Sequence, residues 1–379
     1  MAMAETELAA LIAQGQPSEI IGSGTKKALG RPTQSNSILD MSVFKGVSLY
    51  EPDELVLEAG AGTSLAEIEN LLAKNNQQLA FEPPDYAKLL GSNNNGTLGG
   101  LIACGLSGPR RIKAGAARDH ILGFSGVSGR GEIFKAGGRV VKNVTGFDLA
   151  KLMVGSYGTL VALTRITMKV LPAAETEETL VLNGLDDGRA IRAMSLAMQS
   201  SCEVSGAAHL PGQQTLLRLE GIGPSVIYRR DKLAGLLKEF GTVDLLPNKK
   251  SRAQWIAVRD VHALCNEPKR CVWKLSVTPS EGADIVARIS RHTDTKYFFD
   301  WAGGLIWLSV PASDDASASV IRGSFDSGHA TLVRAPEAVR ARVDVFQTQP
   351  APLATLSSRV KTSFDPTGVL NFGRMYRDR

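Results

Sequence analysis

Cysteine is scarce. The chain has four in 379 residues, Cys104, Cys202, Cys265 and Cys271, too few and too scattered for a disulfide framework or an iron–sulfur cluster. Long apolar runs are also missing. The strongest, residues 160–170, is broken by Arg165 and Lys169, so no segment of about 20 residues suits a bilayer crossing. Residues 1–16 carry Glu5 and Glu7 without a basic stretch and do not read as a secretory signal. Charge of one sign hardly dominates: 43 basic against 38 acidic residues give +5, a slight lean towards anionic ligands. The basic pairs Lys26 with Lys27, Arg229 with Arg230 and Lys249 with Lys250 are dispersed, without the interleaved aromatics of a nucleic-acid surface. The expectation is a soluble, reduced, cytoplasmic protein.

What is present is enough for a core. The chain is 43% hydrophobic and 21% charged, and its length suggests two or three domains. Glycine is uneven: 23 of 38 lie in the first 175 residues, and 16 of those fall between Gly91 and Gly158. That density marks backbone at positive φ or closely approached by another group. All four tryptophans, Trp255, Trp273, Trp301 and Trp307, come later. The pattern predicts a helix over 5–13, strands over 18–22 and 55–58, and a helix over 64–74 with Ser64 and Glu67 as a capping box. A strand over 159–171 closes at Pro172. An acidic stretch, 173–178, is the expected boundary. Beyond it, strands over 179–182, 214–220, 270–277 and 304–310 alternate with helices over 188–200, 225–240 and 281–291, suggesting a sheet covered by helices. Residues 335–363 read as helix interrupted by Pro350 and Pro352.

Three glycine loops precede the boundary. Residues 22–27 (Gly-Ser-Gly-Thr-Lys-Lys) follow a strand and combine converging amides, a hydroxyl and two lysines, which suits a pyrophosphate. They match neither a P-loop nor a dinucleotide fingerprint, and an ordinary turn is as good a reading. Residues 60–63 read as a strand–turn–helix corner. Residues 91–108 are so rich in glycine and asparagine that neither helix nor strand is expected. Such a loop can lie along a large planar, phosphorylated ligand, with Arg110, Arg111, Lys113 and Arg118 either neutralising it or forming a solvated surface. Residues 155–160 form the third. Together the loops argue for a nucleotide-type cofactor bound mainly by backbone.

The segments Thr97-Leu-Gly-Gly100, Arg118-Asp119, Lys142-Asn-Val-Thr-Gly-Phe-Asp-Leu149 and Gly155-Ser-Tyr-Gly-Thr-Leu160 resemble the FAD-binding (PCMH-type) domain of the vanillyl-alcohol oxidase/p-cresol methylhydroxylase superfamily. The closing Phe364-Asp-Pro-Thr-Gly-Val-Leu-Asn-Phe-Gly-Arg374 is similar to its terminal signature. Residues 297–307 and 328–336 resemble the family of FAD-binding subunits of bacterial glycolate oxidase/dehydrogenase. The resemblance implies an α+β fold: a two-subdomain FAD domain over 1–175, an α/β cap over 176–340, and a segment, 341–379, returning to the FAD domain. It implies that Gly22, Ser23, Gly24, Thr25, Lys26 and Lys27 wrap the pyrophosphate and that Pro84 and Asp85 border the flavin. Thr97, Gly99, Gly100, Ser107 and Gly108 would line its other side, Gly158 and Leu163 would meet the adenine end, and Asn371 would sit near the isoalloxazine.

Departures from the family refine this. The first loop lacks a histidine for covalent attachment, so FAD is expected to be non-covalent. Cys104 reads as a small buried thiol. Phe372 stands where the family's usual proline does. The histidines of the cap, His209, His262, His292 and His329, are isolated, so no metal site and no catalytic base can be named. The expected function is that of an FAD-binding subunit in a complex oxidising glycolate, a 2-hydroxy acid, to glyoxylate. A larger flavin subunit would hold the main substrate chemistry and an iron–sulfur subunit would carry electrons onward. The tryptophan-bearing strands are either cap core or partner interface. Two alternatives stand: a self-sufficient 2-hydroxy-acid oxidoreductase using Arg110 or Arg374 for the carboxylate, and a non-catalytic scaffold stabilised by FAD.

Overall fold

The computed structural model describes residues 4–35, 37–138 and 147–378. Residues 142–146, which open the motif at 142–149, lie outside the described residues. The chain folds as two units. The first comprises Met1–Ser107, Gly115–Ala173 and Asp344–Arg379, the second Gly108–Ala114 and Ala174–Val343.

In the first unit, β1 (Ser18–Ile21) pairs in parallel with β2 (Ser37–Asp40). The other strands are β3 (Val47–Glu51), β4 (Val56–Gly60), β5 (Gln77–Gln78), β6 (Ile121–Ser128), β7 (Ile133–Gly137), β8 (Val161–Lys169) and β9 (Leu171–Pro172). Five of them form an antiparallel sheet in the order β3-β4-β8-β6-β7. The central strand, β8, is buried along most of its length, with Val161, Ala162, Leu163, Ile166 and Met168 inside and Arg165 exposed. The helix Glu5–Ala13 packs Leu8 and Ile12 against Leu39, Met41, Val127 and Ala162, and Val369 and Leu370 complete the cluster from the far end of the chain. Each large side chain so buried stabilises the unit by roughly 1.5–3 kcal/mol. The tail is fixed by Asp365, whose buried carboxylate accepts from the amides of Val369 and Leu370, both at 2.9 Å, and from Lys361 Nζ.

The second unit is built on one antiparallel sheet. Its strands are β10 (Thr176–Asn183), β11 (Gly206–Leu210), β12 (Gln214–Gly221), β13 (Val243–Leu246), β14 (Cys271–Ser276), β15 (Lys296–Asp300), β16 (Leu305–Val310) and β17 (His329–Arg334). They run in the order β13-β10-β12-β11-β15-β16-β14-β17. The helices Asp187–Gln199, Gly223–Leu236 and Asn248–Arg259 pack on its strands, and Gly282–Ser290 packs on Asp187–Gln199. All four tryptophans are buried.

Local expectations fail in three instructive places. A helix, Leu98–Cys104, forms inside the glycine-rich stretch. Thr97 caps it by accepting from the Gly100 amide, Gly105 ends it in the left-handed region, and Leu98, Leu101 and Ile102 are fully buried. Caps and burial together outweigh the low helix propensity of its two glycines. The capping box at Ser64 does not form; instead the carbonyl of Gly96 accepts from the Leu65 amide at 2.9 Å. Pro350 and Pro352 do not interrupt a helix but begin one, Ala351–Phe364, because a first turn has no use for the missing proline N–H.

Candidate functional site

The first glycine loop continues directly from β1. Among the described residues, the amides of Ser23, Gly24, Thr25 and Lys26 have no acceptor, while that of Lys27 donates to Gly24 O at 3.1 Å. The hydroxyl of Ser23 is buried without a partner. An unmet buried hydroxyl is costly, and the amides beside it are open to acceptors.

The second loop closes against the first. Asn94 Nδ2 donates to Ser23 O at 3.2 Å, and Gly22 comes so near Thr97 that a Cβ there would stand 2.7 Å from Thr97 Oγ1. Its glycines play another part than main-chain donation. The amide of Gly99 is spent on Ala61 O at 2.7 Å and that of Gly100 on Thr97 Oγ1 at 3.3 Å. A Cβ on Gly99 would come within 2.8 Å of Ala61 Cβ, so Gly99 serves close packing of the helix Leu98–Cys104 on the corner after β4.

The third loop and the tail complete the cavity. Asn371 is buried, with φ at 46°, a conformation asparagine tolerates better than most residues. Its Oδ1 accepts from Ile20 N at 2.8 Å and its Nδ2 donates to Tyr157 O at 2.7 Å. Arg374 donates to Glu19 Oε1 at 3.3 Å and to Lys26 O at 3.2 Å. Lys27 pairs with the other oxygen of Glu19 at 3.0 Å.

These elements line one cavity within the first unit. Its empty space is about 730 Å³ when counted out to open solvent. Ten of the residues expected from the sequence line it: Gly22, Gly24, Thr25, Lys26, Lys27, Gly99, Gly100, Gly158, Leu163 and Asn371. Six do not. Ser23 and Thr97 lie immediately behind the lining. Asp85 is exposed and accepts from the Ala87 amide at 2.9 Å, with Pro84 buried beside it. Ser107 accepts from the Ala117 amide at 2.9 Å. Gly108 belongs to the second unit.

Residues not expected to bind the cofactor also line the cavity: Glu19, Ala61 and Tyr157, together with Cys104, read from the sequence as a buried thiol, and Arg374, weighed there only for a substrate carboxylate. Glu19 shortly precedes the first glycine loop and Tyr157 lies inside the third, the one signal that marks them. Cys104 is half-buried, and burial pushes its thiol up against the opposing pull of Lys26 and Arg374. It therefore stays protonated and is no nucleophile. Burial also raises the Tyr157 hydroxyl and lowers Lys26. Among the described residues, the recorded hydrogen bond of Lys26 Nζ is to Thr25 Oγ1, at 3.3 Å.

The arginines considered for a substrate carboxylate are both engaged. Arg374 is held by Glu19, and Arg110 makes a two-pronged bond to Glu220, at 3.0 and 2.8 Å. Among the described residues, no three His, Cys, Asp or Glu side chains converge to hold a metal ion.

Residues 4–137 match the family described as FAD binding domain. Over 367 residues, covering 97% of this chain and 95% of the relative, the sequence is 33% identical to glycolate oxidase subunit GlcE of Escherichia coli. Over 162 residues it is 35% identical to glycolate oxidase subunit GlcD of Bacillus subtilis, covering 42% of this chain and 33% of that one. In fold it is similar to alkyldihydroxyacetonephosphate synthase, with a TM-score of 0.67 at 14% identity over 97% of this chain and 74% of that one. The chain belongs to the FAD-binding family of glycolate oxidase subunits.

Proposed function

We propose that this chain is the FAD-binding subunit of a complex that oxidises glycolate to glyoxylate. The observation that carries this reading is the charge of the cavity. Lys26, Lys27 and Arg374 line it with Glu19 as the sole carboxylate among the lining residues, which leaves two positive charges, the complement of a diphosphate. The unmatched amides of 23–26 and the buried Ser23 hydroxyl supply donors suited to phosphate oxygens. Gly22 and Gly158 let the lining pack closely, since a Cβ would stand 2.7 Å from Thr97 Oγ1 at the first and 2.8 Å from Asn371 Nδ2 at the second. The lining has no histidine, consistent with non-covalent binding. FAD held by these residues would supply a two-electron acceptor.

This chain's own residues bind and orient. With Arg110 and Arg374 both neutralised by carboxylates, the main oxidation is assigned to a larger flavin subunit, a relative of the GlcD type, and electron transfer onward to an iron–sulfur subunit. The test is the visible spectrum of the purified chain before and after anaerobic glycolate, then with the larger subunit added. A flavin band that stays oxidised until the partner is present is the expected result. A band that bleaches in the isolated chain overturns the division of labour, and no band after adding FAD overturns the cofactor.

A further inference from the structure

A second cavity opens in the first unit. Its empty space is about 880 Å³ counted out to open solvent, more than the 730 Å³ around Lys26 by the same measure. Leu356 and Val360 of the helix Ala351–Phe364 line it, with Leu152, Leu160 and, from the tail, Met375 and Tyr376. An amphipathic helix ordinarily buries its apolar stripe. Here only Lys361 of the fourteen residues is buried, and Leu356 is 54% exposed. The helix therefore leaves apolar surface open to a ligand, and aliphatic side chains beside a thioether and an aromatic ring suit a flat apolar one.

The cleft offers a ligand no free charge. Lys361 is the one charged residue of the lining, and its ammonium spends three N–H groups on Thr159 O at 2.7 Å, Leu370 O at 3.1 Å and the Asp365 carboxylate. An ion seated there would be unpaired and costly, so the chemistry favours a neutral molecule. Two hydroxyls remain. That of Thr159 donates to Ser156 O at 2.7 Å, whereas those of Ser156 and Ser357, both in the lining, have no hydrogen-bond partner among the described residues. Free hydroxyls on apolar walls suit a ligand with carbonyl oxygens.

The cleft backs onto the cavity around Lys26. Tyr157 and Gly158 line that cavity, while Ser156 and Thr159 on either side line the cleft, and the tail repeats this with Arg374 and Met375. The Tyr157 ring meets Phe346 edge to face at 4.8 Å between centroids, and Phe346 meets Tyr376 at 6.3 Å. Ring contacts thus run from one cavity to the other.

We infer that this cleft is a binding site for a neutral, apolar ring bearing carbonyl oxygens, the chemistry of a quinone. Ser156 and Ser357 donate to the oxygens, and Leu152, Leu356 and Tyr376 cover the ring. The site stands on its own residues; that it adjoins a flavin rests on the function proposed above.

The test is equilibrium dialysis of the full chain against duroquinone, whose ring carbons are all methylated or carbonyl, so that protein thiols do not add to it. Durene, the same ring without the oxygens, and benzoate, which is charged, serve as controls. Flavin absorbance is read in the same samples. Saturable duroquinone binding, tighter than either control, is the expected result. It should weaken about tenfold or more in L356W, which fills the cleft, and about threefold in S357A. Leu356 and Ser357 are not buried, so both variants keep the fold. Absent binding, affinity that L356W or S357A leaves unchanged, or a control binding as tightly overturns the site. Displacement of duroquinone by added FAD also overturns it, placing the quinone in the first cavity. So does its loss when the larger flavin subunit is added, which makes the cleft a protein interface. Flavin retained without duroquinone binding defeats this inference alone. Duroquinone binding without flavin defeats the cofactor reading and leaves the site standing.

Discussion

Asn371 donates its side-chain amide to the carbonyl of Tyr157 at 2.7 Å across 214 residues of sequence. Its carbonyl oxygen accepts from Ile20 N, so one side chain ties the tail, the third glycine loop and the strand that leads into the first. Replacing Asn371 by Ala leaves the part-buried Ile20 N–H and Tyr157 C=O unmet, at up to roughly 1–3 kcal/mol each. N371A should unfold at a clearly lower temperature and lose flavin on desalting. A variant with the melting temperature and flavin content of the parent would sink this account.

Lys26 gives a prediction with two signs. Burial works against its charge, and its recorded hydrogen bond is to a threonine hydroxyl. K26M should therefore leave the flavin-free protein as stable as before, or more so. Its affinity for FAD should fall about tenfold or more, the loss of a charge-assisted bond to phosphate, with a weaker dependence on salt. Melting curves without FAD and fluorescence titration with it separate the two effects.

At Gly22 the issue is space. A methyl group there would meet Thr97 Oγ1 at 2.7 Å, and Thr97 cannot yield freely because it caps the helix Leu98–Cys104. G22A should fold with reduced flavin content. Adding Thr97→Ala restores the room at the cost of the cap, typically about 1 kcal/mol, so the double variant should regain flavin while melting lower. Equal flavin content in G22A and parent would rule out close approach at this position.

Acid stability should turn on Glu220. Burial pushes its carboxyl up, but Arg218 and Arg110 outweigh that and hold it at about 2, against 4.5 for the ordinary group. A carboxyl depressed in the folded state stabilises fully above about 4.5, and that contribution fades as pH falls towards 2. It amounts to ~3 kcal/mol. Glu177 works the other way, since burial raises it, and regains a little as it protonates. Urea unfolding between pH 6 and 3 should show the net decline, and E220Q, less stable at neutral pH, should show a flatter one. A parallel pair of curves would remove Glu220 from the explanation.

Much of this protein was present in the order of its residues. Apolar periodicity located the helix Glu5–Ala13 to the residue and the central strand β8 within two at either end, because both carry their own burial pattern. All three glycine loops supply residues to the candidate cofactor cavity of the first unit. Short strands with little pattern of their own escaped: β11 is rich in small residues and β13 is four residues long, and each gains its stability from neighbours in the sheet. The helix Leu98–Cys104 was hidden for the same reason, since its caps and buried face depend on packing that propensity does not express.

What only the tertiary structure decided is the pairing of charges. The sequence offers Lys26, Lys27, Arg110, Arg111 and Arg374 as equal candidates for an anion. Folding neutralises Arg110 with Glu220, shares Glu19 between Lys27 and Arg374, and leaves Lys26 without a carboxylate in hydrogen-bonding contact among the described residues. Coulomb energy falls with distance and rises with burial. The availability of a cation is therefore set by which carboxylate the fold brings beside it, a relation between residues far apart in the chain.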